Sequence, residues 1–245
     1  MDFQKLEKLK NELEKMRPLN SAELRRLRNQ FAVENTYNSN AIEGSTLTLR
    51  ETALVLQEGI TIGEKPLKEH LEAIGHKDAI DYIESIAKPN APLTEKDILN
   101  IHSLVLMNDQ ENKGIYRQIP VIIMGAVHTP PPPLEISIKM KQLLSDYANM
   151  KKQKHIIEAI AEFHLIFEGI HPFIDGNGRT GRLIMNLELM KFGYLPINIK
   201  YIDKKEYFEC FDHFYSNGHT PQTLVNLITK YEQEEIEKRI SLLHS

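Results

Sequence analysis

The stretch that decides the reading is His171-Pro172-Phe173-Ile174-Asp175-Gly176-Asn177-Gly178-Arg179-Thr180-Gly181-Arg182. It gathers an imidazole, a carboxylate, a carboxamide, two guanidiniums and three glycines within twelve residues, a composition that no apolar core demands. A helix is expected to end at Glu168-Gly169 and another to begin at Asn177, so the polar stretch is a loop feeding a helix N-terminus. The first N–H groups of a helix lack internal partners and carry the positive end of its dipole. Gly176 and Gly178 leave the backbone bare for a phosphate to approach. Arg179 and Arg182, three apart, fall roughly on one helical face, where two guanidiniums would grip further phosphates in fork geometry. Asp175 is a hard oxygen ligand suited to Mg²⁺ held between phosphates. His171 has an unperturbed pKa near neutrality and is the natural general base. Each residue also has a plainer role: a tight turn with Asn177 as N-cap, solvated arginines, a structural histidine. Their order together points to phosphate chemistry. Gly-Lys-Ser/Thr is absent, so this is not a Walker A loop.

Outward from this loop, helical periodicity dominates. Phe3, Leu6, Leu9, Leu13 and Met16 make one apolar stripe that Pro18 ends. Asn20 with Glu23 resembles a capping box opening a second helix toward Ala41, with Gly44 as its stop. Thr48 with Glu51 opens a short helix closed by Gly59. Pro66 suits the first turn of a helix carrying Leu67, Leu71, Ile74, Ile80 and Ile83. Thr94 with Asp97 starts the next. Residues 114–129 break the pattern, being β-branched and uncapped, and Val121, Ile122 and Ile123 suggest a short strand or hairpin. Pro130 to Pro133 stiffen its exit. Helices resume at about 134–150, 153–168, 177–192, 203–216 and 221–243. Three parts are expected: an N-terminal helical arm over 1–60, a core over 61–220 and a C-terminal helix over 221–245. The last helix and the N-terminal stripe either pack on the core or mediate a homodimer.

Composition narrows the class. The 245 residues are 41% hydrophobic and 26% charged, which excludes a disordered chain. Thirty Lys plus Arg against 34 Asp plus Glu give a net charge of −4, so no nucleic-acid partner is expected. The single cysteine, Cys210, excludes an intrachain disulfide and a cysteine-based zinc site and reads as a small buried hydrophobe. With no apolar leader and no run long enough for a membrane span, the protein is expected to be cytoplasmic with no membrane partner.

The loop is identified as matching the signature of Fic-domain proteins (filamentation induced by cAMP), His-Pro-Phe-x-Asp/Glu-Gly-Asn-Gly-Arg-x-x-Arg, at every fixed position. Gly114-Ile-Tyr-Arg117, Val121-Ile-Ile-Met-Gly125 and His128-Thr-Pro-Pro131 resemble the family's flap, and the likeness covers roughly residues 35–220. It implies an all-α Fic-fold helical bundle with a short β-hairpin flap beside the active site. It implies transfer of AMP from ATP to a Ser, Thr or Tyr hydroxyl of a target protein, with self-modification. By the same resemblance His171 deprotonates the hydroxyl, Asp175 holds Mg²⁺ or Mn²⁺, and Asn177 with the amides of Gly176 and Gly178 cradles the α-phosphate. Arg179 and Arg182 take the remaining phosphates. Tyr207 and Tyr215 either border the adenine or are core aromatics. Val121, Ile122 and Ile123 would pair with an extended segment of the target by β-augmentation.

Ser39-Asn40-Ala41-Ile42-Glu43-Gly44 resembles the family's inhibitory motif, Ser/Thr-x-x-x-Glu-Gly/Asn. Ser39 and Glu43 share one helical face, and a carboxylate in a last helical turn sits at the negative dipole end and wants a cation. The resemblance implies that this cation is Arg182 and that Glu43 takes the space of the γ-phosphate. In some members this glutamate also serves AMP removal. Competing readings are transfer of phosphate, UMP or phosphocholine, a non-enzymatic ATP-sensing module, and a DNA-binding regulator, for which no room remains after the charged last helix.

Overall fold

The structure, a computed structural model, describes residues 3–244. Among them ten α-helices follow in chain order and no strand forms. They are α1 (Gln4–Glu14), α2 (Ser21–Ile42), α3 (Leu49–Ala53), α4 (Leu67–Ile86), α5 (Glu95–Val105), α6 (Pro133–Gln153), α7 (Ile156–Ile170), α8 (Asn177–Lys191), α9 (Lys204–Ser216) and α10 (Gln222–His244). A π-helical turn, Leu54–Glu58, extends α3, and Gly59 closes it with φ +66°. The helix starts follow from side chains that satisfy otherwise unpaired N–H groups. Asn20, Thr48 and Thr94 each form a reciprocal capping box with Glu23, Glu51 and Asp97. His155 caps α7 in the same way, its ring accepting from the Ile157 N–H at 3.2 Å.

The fold is organised around α7 and α8. Ile157, Ile160, Phe163, Leu165 and Phe167 on α7 and Leu183, Ile184, Leu187 and Leu189 on α8 are buried. Each such side chain contributes about 1.5–3 kcal/mol of hydrophobic stabilisation. α6 and α10 pack on α7, while α2, α4 and α5 pack on α8. The 171–176 loop therefore joins the two central helices. α1 lies on α10, with Leu6 fully buried. Phe3 stacks on His155 at 3.7 Å, and the Glu7 carboxylate accepts from Tyr194 Oη. Leu6, Ile42 and Ile240 belong to the same core as α7 and α8, so α1 and α10 both pack on the molecule's own core. Cys210 is buried.

Two expectations are corrected. α7 runs through Gly169 to Ile170 rather than ending at 168: Gly169 makes room for the Tyr215 hydroxyl instead of stopping the helix, and His171 in the left-handed region ends it. The hairpin at Val121, Ile122 and Ile123 is not formed. Residues 106–132 hold neither helix nor strand, and the turn there rests on one backbone bond, Ala126 N–H to Ile123 O at 3.2 Å. A strand needs a ladder partner, and Pro120 and Pro130–133 withhold the N–H groups that would supply one.

Candidate active site

The site begins where α7 stops. His171 is the C-cap residue, donating its N–H to Phe167 O at 3.0 Å from the left-handed region (φ 49°, ψ 60°). A non-glycine residue is uncommon there, and the conformation turns the chain sharply away from the helix. Its Nδ1 lies 3.3 Å from Glu168 O. An Nδ1–H donating to that carbonyl leaves the Nε2 lone pair for an incoming proton. Burial lowers the pKa of His171 and Arg117 and His128 lower it further, while the Glu168 carbonyl and the charge of Glu43 oppose them.

The loop is closed by its own side chains. Asn177 accepts from Phe173 N–H and donates to Phe173 O, both at 2.9 Å, so its carboxamide is spent on the loop and not on an outside anion. Gly176 stands before α8 with φ +76°, a conformation that favours glycine. Its N–H donates to Asp175 Oδ1 at 2.6 Å, so this amide too has an internal partner. Asp175 Oδ1 also accepts from Arg179 Nη2 at 3.2 Å, and Oδ2 lies 3.7 Å from Lys68 Nζ. Burial raises the Asp175 pKa, but Arg179, the Gly176 amide and Lys68 outweigh it and hold the carboxyl below its usual range.

The two arginines of α8 do not share an open face. Arg179 is buried, with Nη1 3.0 Å from Glu72 Oε1 on α4 as well as its bond to Asp175. Arg182 faces α2: Nε donates to Ser39 Oγ at 3.1 Å, and Nη2 donates to Ser39 O at 2.9 Å and Glu43 Oε1 at 2.7 Å. Burial opposes the charge of Arg182, but Glu43 prevails and raises its pKa. Glu43 caps the C-terminus of α2. A Cβ at Gly178 would collide with Glu43 Oε1, so the carboxylate fills the bare patch at the start of α8. The geometry thus brings Ser39, Glu43, Gly178 and Arg182 together, and separately Asp175, Arg179, Lys68 and Glu72.

Tyr207 and Tyr215 offer no free ring. Tyr207 is buried, with its hydroxyl 2.7 Å from His164 Nε2 and Arg182 over its ring at 5.7 Å. Tyr215 donates to Leu165 O at 3.2 Å, and His128 covers its face at 3.8 Å. Both side chains thus reach from α9 to α7, through His164 and through the Leu165 carbonyl.

Several participants escaped the sequence reading. Arg117 donates through Nε to His171 O (2.8 Å), through Nη1 to Ile119 O (2.9 Å) and through Nη2 to Pro131 O (2.7 Å). Its own N–H donates to Pro172 O at 2.9 Å. It therefore clamps both ends of the 118–131 segment to the loop. The Gly-Ile-Tyr-Arg flank was visible, but nothing in it named those carbonyls. Lys68 and Glu72 form an i,i+4 pair whose spacing was legible and whose target was not. Burial pushes the Glu168 carboxyl up to about 8, against the pull of Arg182.

Among the described residues no group of three or more His, Cys, Asp or Glu gathers to hold a metal. Asp175, half-exposed, supplies one hard oxygen in Oδ2, which lies 3.7 Å from Lys68 Nζ. That donor set fits Mg²⁺, which keeps several waters and takes one or two carboxylates together with substrate phosphates.

The Fic/DOC family model matches residues 92–189. A protein adenylyltransferase Fic from Nematostella vectensis is 33% identical over 215 residues, covering 85% of this chain and 50% of that protein. One from Aedes aegypti is 35% identical over 211 residues, covering 84% and 42%. A Fic-domain-containing signalling protein from Bacteroides thetaiotaomicron superposes with a TM-score of 0.89 at 29% identity, covering 98% of this chain and 97% of that one. Residues 134–508 of Fic-1 from C. elegans give 0.84 at 28% identity, covering 98% and 70%. The chain belongs to the Fic family. It spans about half the length, or less, of the curated relatives it matches. None of its described helices is long and apolar enough to cross a membrane.

Proposed function

We propose that the protein is an adenylyltransferase that moves AMP from Mg-ATP to a hydroxyl of a target protein and is held off by its own Glu43. The observation that carries the reading is the Glu43 carboxylate seated over Gly178 and bonded to Arg182, an anion already occupying an anion site. The relatives named above bear the name adenylyltransferase, which supports AMP as the transferred group.

In this reaction the target hydroxyl oxygen bonds to the α-phosphorus of ATP. The bond from that phosphorus to the bridging oxygen breaks, and pyrophosphate leaves. His171, with Nδ1 turned to Glu168 O, takes the hydroxyl proton on Nε2. The amide of Gly178 and the start of α8 offset charge developing on the α-phosphate. Asp175 is the residue that would hold Mg²⁺, which neutralises phosphate charge when bound. Arg179 serves this site through Asp175, whose carboxylate it fixes, and Arg182 is the guanidinium left for the outer phosphates once Glu43 withdraws. With Glu43 in place the outer phosphates meet a carboxylate, and nucleotide binds in a non-productive pose. The exposed 118–127 segment is the proposed docking strip for an extended stretch of target, which would supply the missing ladder. Self-modification, AMP removal through Glu43 and a homodimer belong to the same proposal.

The test uses wild type, Glu43→Gly, and Glu43→Gly with His171→Ala, each with Mg²⁺ and ATP labelled at the α- or the γ-phosphate. Label from α-ATP alone, strong in Glu43→Gly and absent from the double variant, is the expected result. Label from γ-ATP would replace AMP by phosphate as the transferred group. Absence of label from both, with lysate added, would sink the enzymatic reading.

A further inference from the structure

His102 lies on α5, outside the signature, and no step above uses it. Its ring is fully buried and sandwiched against Phe173 at a centroid distance of 3.6 Å and an interplanar angle of 5°. Both ring nitrogens are engaged. The backbone N–H of Gly114 points at Nδ1 at 2.9 Å, and Nε2 lies 3.0 Å from Asp175 O. An amide N–H can only donate, so Nδ1 must accept, and the proton of the neutral ring must sit on Nε2, where it donates to the Asp175 carbonyl.

The consequence lies in one peptide unit. The Asp175 carbonyl and the Gly176 N–H are the two ends of the same planar group. His102 holds the oxygen end, and Asp175 Oδ1 holds the N–H end at 2.6 Å. With Oδ1 fixed there and by Arg179, the second oxygen, Oδ2, is engaged by neither of these and lies 3.7 Å from Lys68 Nζ, the cation a bound divalent ion would displace. Gly176 is the residue best able to let this peptide flip, because glycine tolerates either sign of φ. A flip would carry the N–H away from Oδ1 and release the carboxylate. We infer that His102 is a positioning residue for Asp175, locking the 175–176 peptide so that Oδ2 is presented to the divalent cation bound with nucleotide. The inference rests on the assignment of Asp175 as the metal carboxylate. Because the same imidazole accepts from Gly114, the root of the 115–132 segment is registered to that carboxylate as well. Outer partners of metal-binding groups typically change metal affinity about 10–100-fold when removed.

The two hydrogen bonds can be separated. Asparagine at 102 can offer an acceptor where Nδ1 stands but cannot reach Asp175. Glutamine can offer a donor where Nε2 stands but gives up Gly114. Mn²⁺ binding is measured by electron paramagnetic resonance with a non-hydrolysable ATP analogue, on the full chain carrying Glu43→Gly. Three variants are compared in that background: His102→Asn, His102→Gln and Asp175→Ala, with thermal midpoints and metal-free nucleotide affinity recorded for each. The expected result is weaker Mn²⁺ binding in His102→Asn by about 10–100-fold. His102→Gln should stay near the parent, Asp175→Ala should lose more than either, and metal-free nucleotide affinity should be unchanged in the two His102 variants. Equal loss in Asn and Gln, or loss in Asp175→Ala alone, would overturn the inference and leave the metal assignment standing. Unchanged Mn²⁺ binding in Asp175→Ala would overturn both. A second measurement needs no folded variant: long-range ¹⁵N spectra of the histidine rings in the unsubstituted chain. They should show His102 protonated at Nε2, with its signals moved by Mg²⁺ plus nucleotide while those of distant His155 stay in place. A proton on Nδ1, or a His102 signal indifferent to Mg²⁺, would refute the positioning role.

Discussion

The loop 171–176 and the segment 118–129 are neighbours tied by one arginine, and they are built on opposite principles. In the loop, Phe173 is fully buried and its N–H and C=O are both taken by Asn177. The Asp175 peptide is held at both ends, and the carbonyls of His171 and Pro172 accept from Arg117. In the segment, Ile122 is 84% and Met124 93% exposed, and one turn bond is all that orders the tip. Arg117 grips its two ends through Ile119 O and Pro131 O and leaves the middle unpaired. Reacting groups must be held to a fraction of an ångström, which the interlocking hydrogen bonds of the loop favour. A strip that recruits a partner chain must instead keep backbone and apolar side chains available.

The comparison can be broken from its rigid side first. His171→Ala in the Glu43→Gly background should cut AMP transfer by about 10²–10⁴-fold while the thermal midpoint holds, as read by α-labelled ATP and a melt. A residual rate within tenfold of the parent would place the base elsewhere. Glu43→Gly alone should act in the opposite sense, raising transfer by about 5–150-fold, the range of a typical inhibitory coupling. An unchanged rate would mean that the carboxylate over Gly178 excludes nothing.

The clamp between the two regions comes next. Arg117→Ala strips several charge-assisted bonds from buried carbonyls and should cost about 3 kcal/mol of stability, lowering the thermal midpoint by about 6–12 °C. A loss below about 0.5 kcal/mol, in the range of ordinary surface changes, would show that loop and segment are held independently. Ile122→Asp, on the free middle, should leave stability within about 0.5 kcal/mol and lower only the labelling of target protein. A melting shift as large as that of Arg117→Ala would mean that Ile122 is packed.

The smallest effect is the pH response of the base. The pKa of His171 lies below its usual 6.5, chiefly through burial, and the active form is the neutral ring. Transfer by Glu43→Gly should therefore stay nearly flat from pH 8 down through 6.5. It should fall about tenfold per pH unit only below the lowered pKa, because protonation then removes the lone pair. An acid limb centred at or above 6.5 would contradict the buried environment of the ring.

Much of this molecule was legible locally. The capping boxes at Asn20, Thr48 and Thr94 were written as i,i+3 pairs and the apolar stripe of α1 as three- and four-residue spacings, whereas in α4 Ile80 and Ile83 are buried but Leu67 and Ile74 are exposed. The anion-site character of 171–182 was legible because its residues are consecutive. The partners that convert those residues into a site come from elsewhere. Arg179 reads as a phosphate ligand until α4 brings Glu72 against it, and Asn177 does so until the loop folds back on Phe173. Tyr207 and Tyr215 read equally as adenine neighbours or core aromatics, and only packing shows the Tyr207 hydroxyl meeting His164 and the Tyr215 ring stacked on His128. The hairpin failed for a related reason: β-propensity describes fitness for a pleated surface, and a strand without a ladder partner has no such surface.

The sequence by itself determined the helical class, the helix starts and the chemical inventory of the loop, since all three are set by contacts within about four residues. Only the tertiary structure decided which carboxylate each guanidinium meets. It did so by placing α2 and α4 against α8, so that Arg182 meets Glu43 across 139 positions of chain and Arg179 meets Glu72. It likewise placed His102 of α5 behind Asp175, 73 positions away. A buried charge or amide must find a partner wherever the packing supplies one, and that choice depends on which helix faces meet, a quantity with no local signature in the chain.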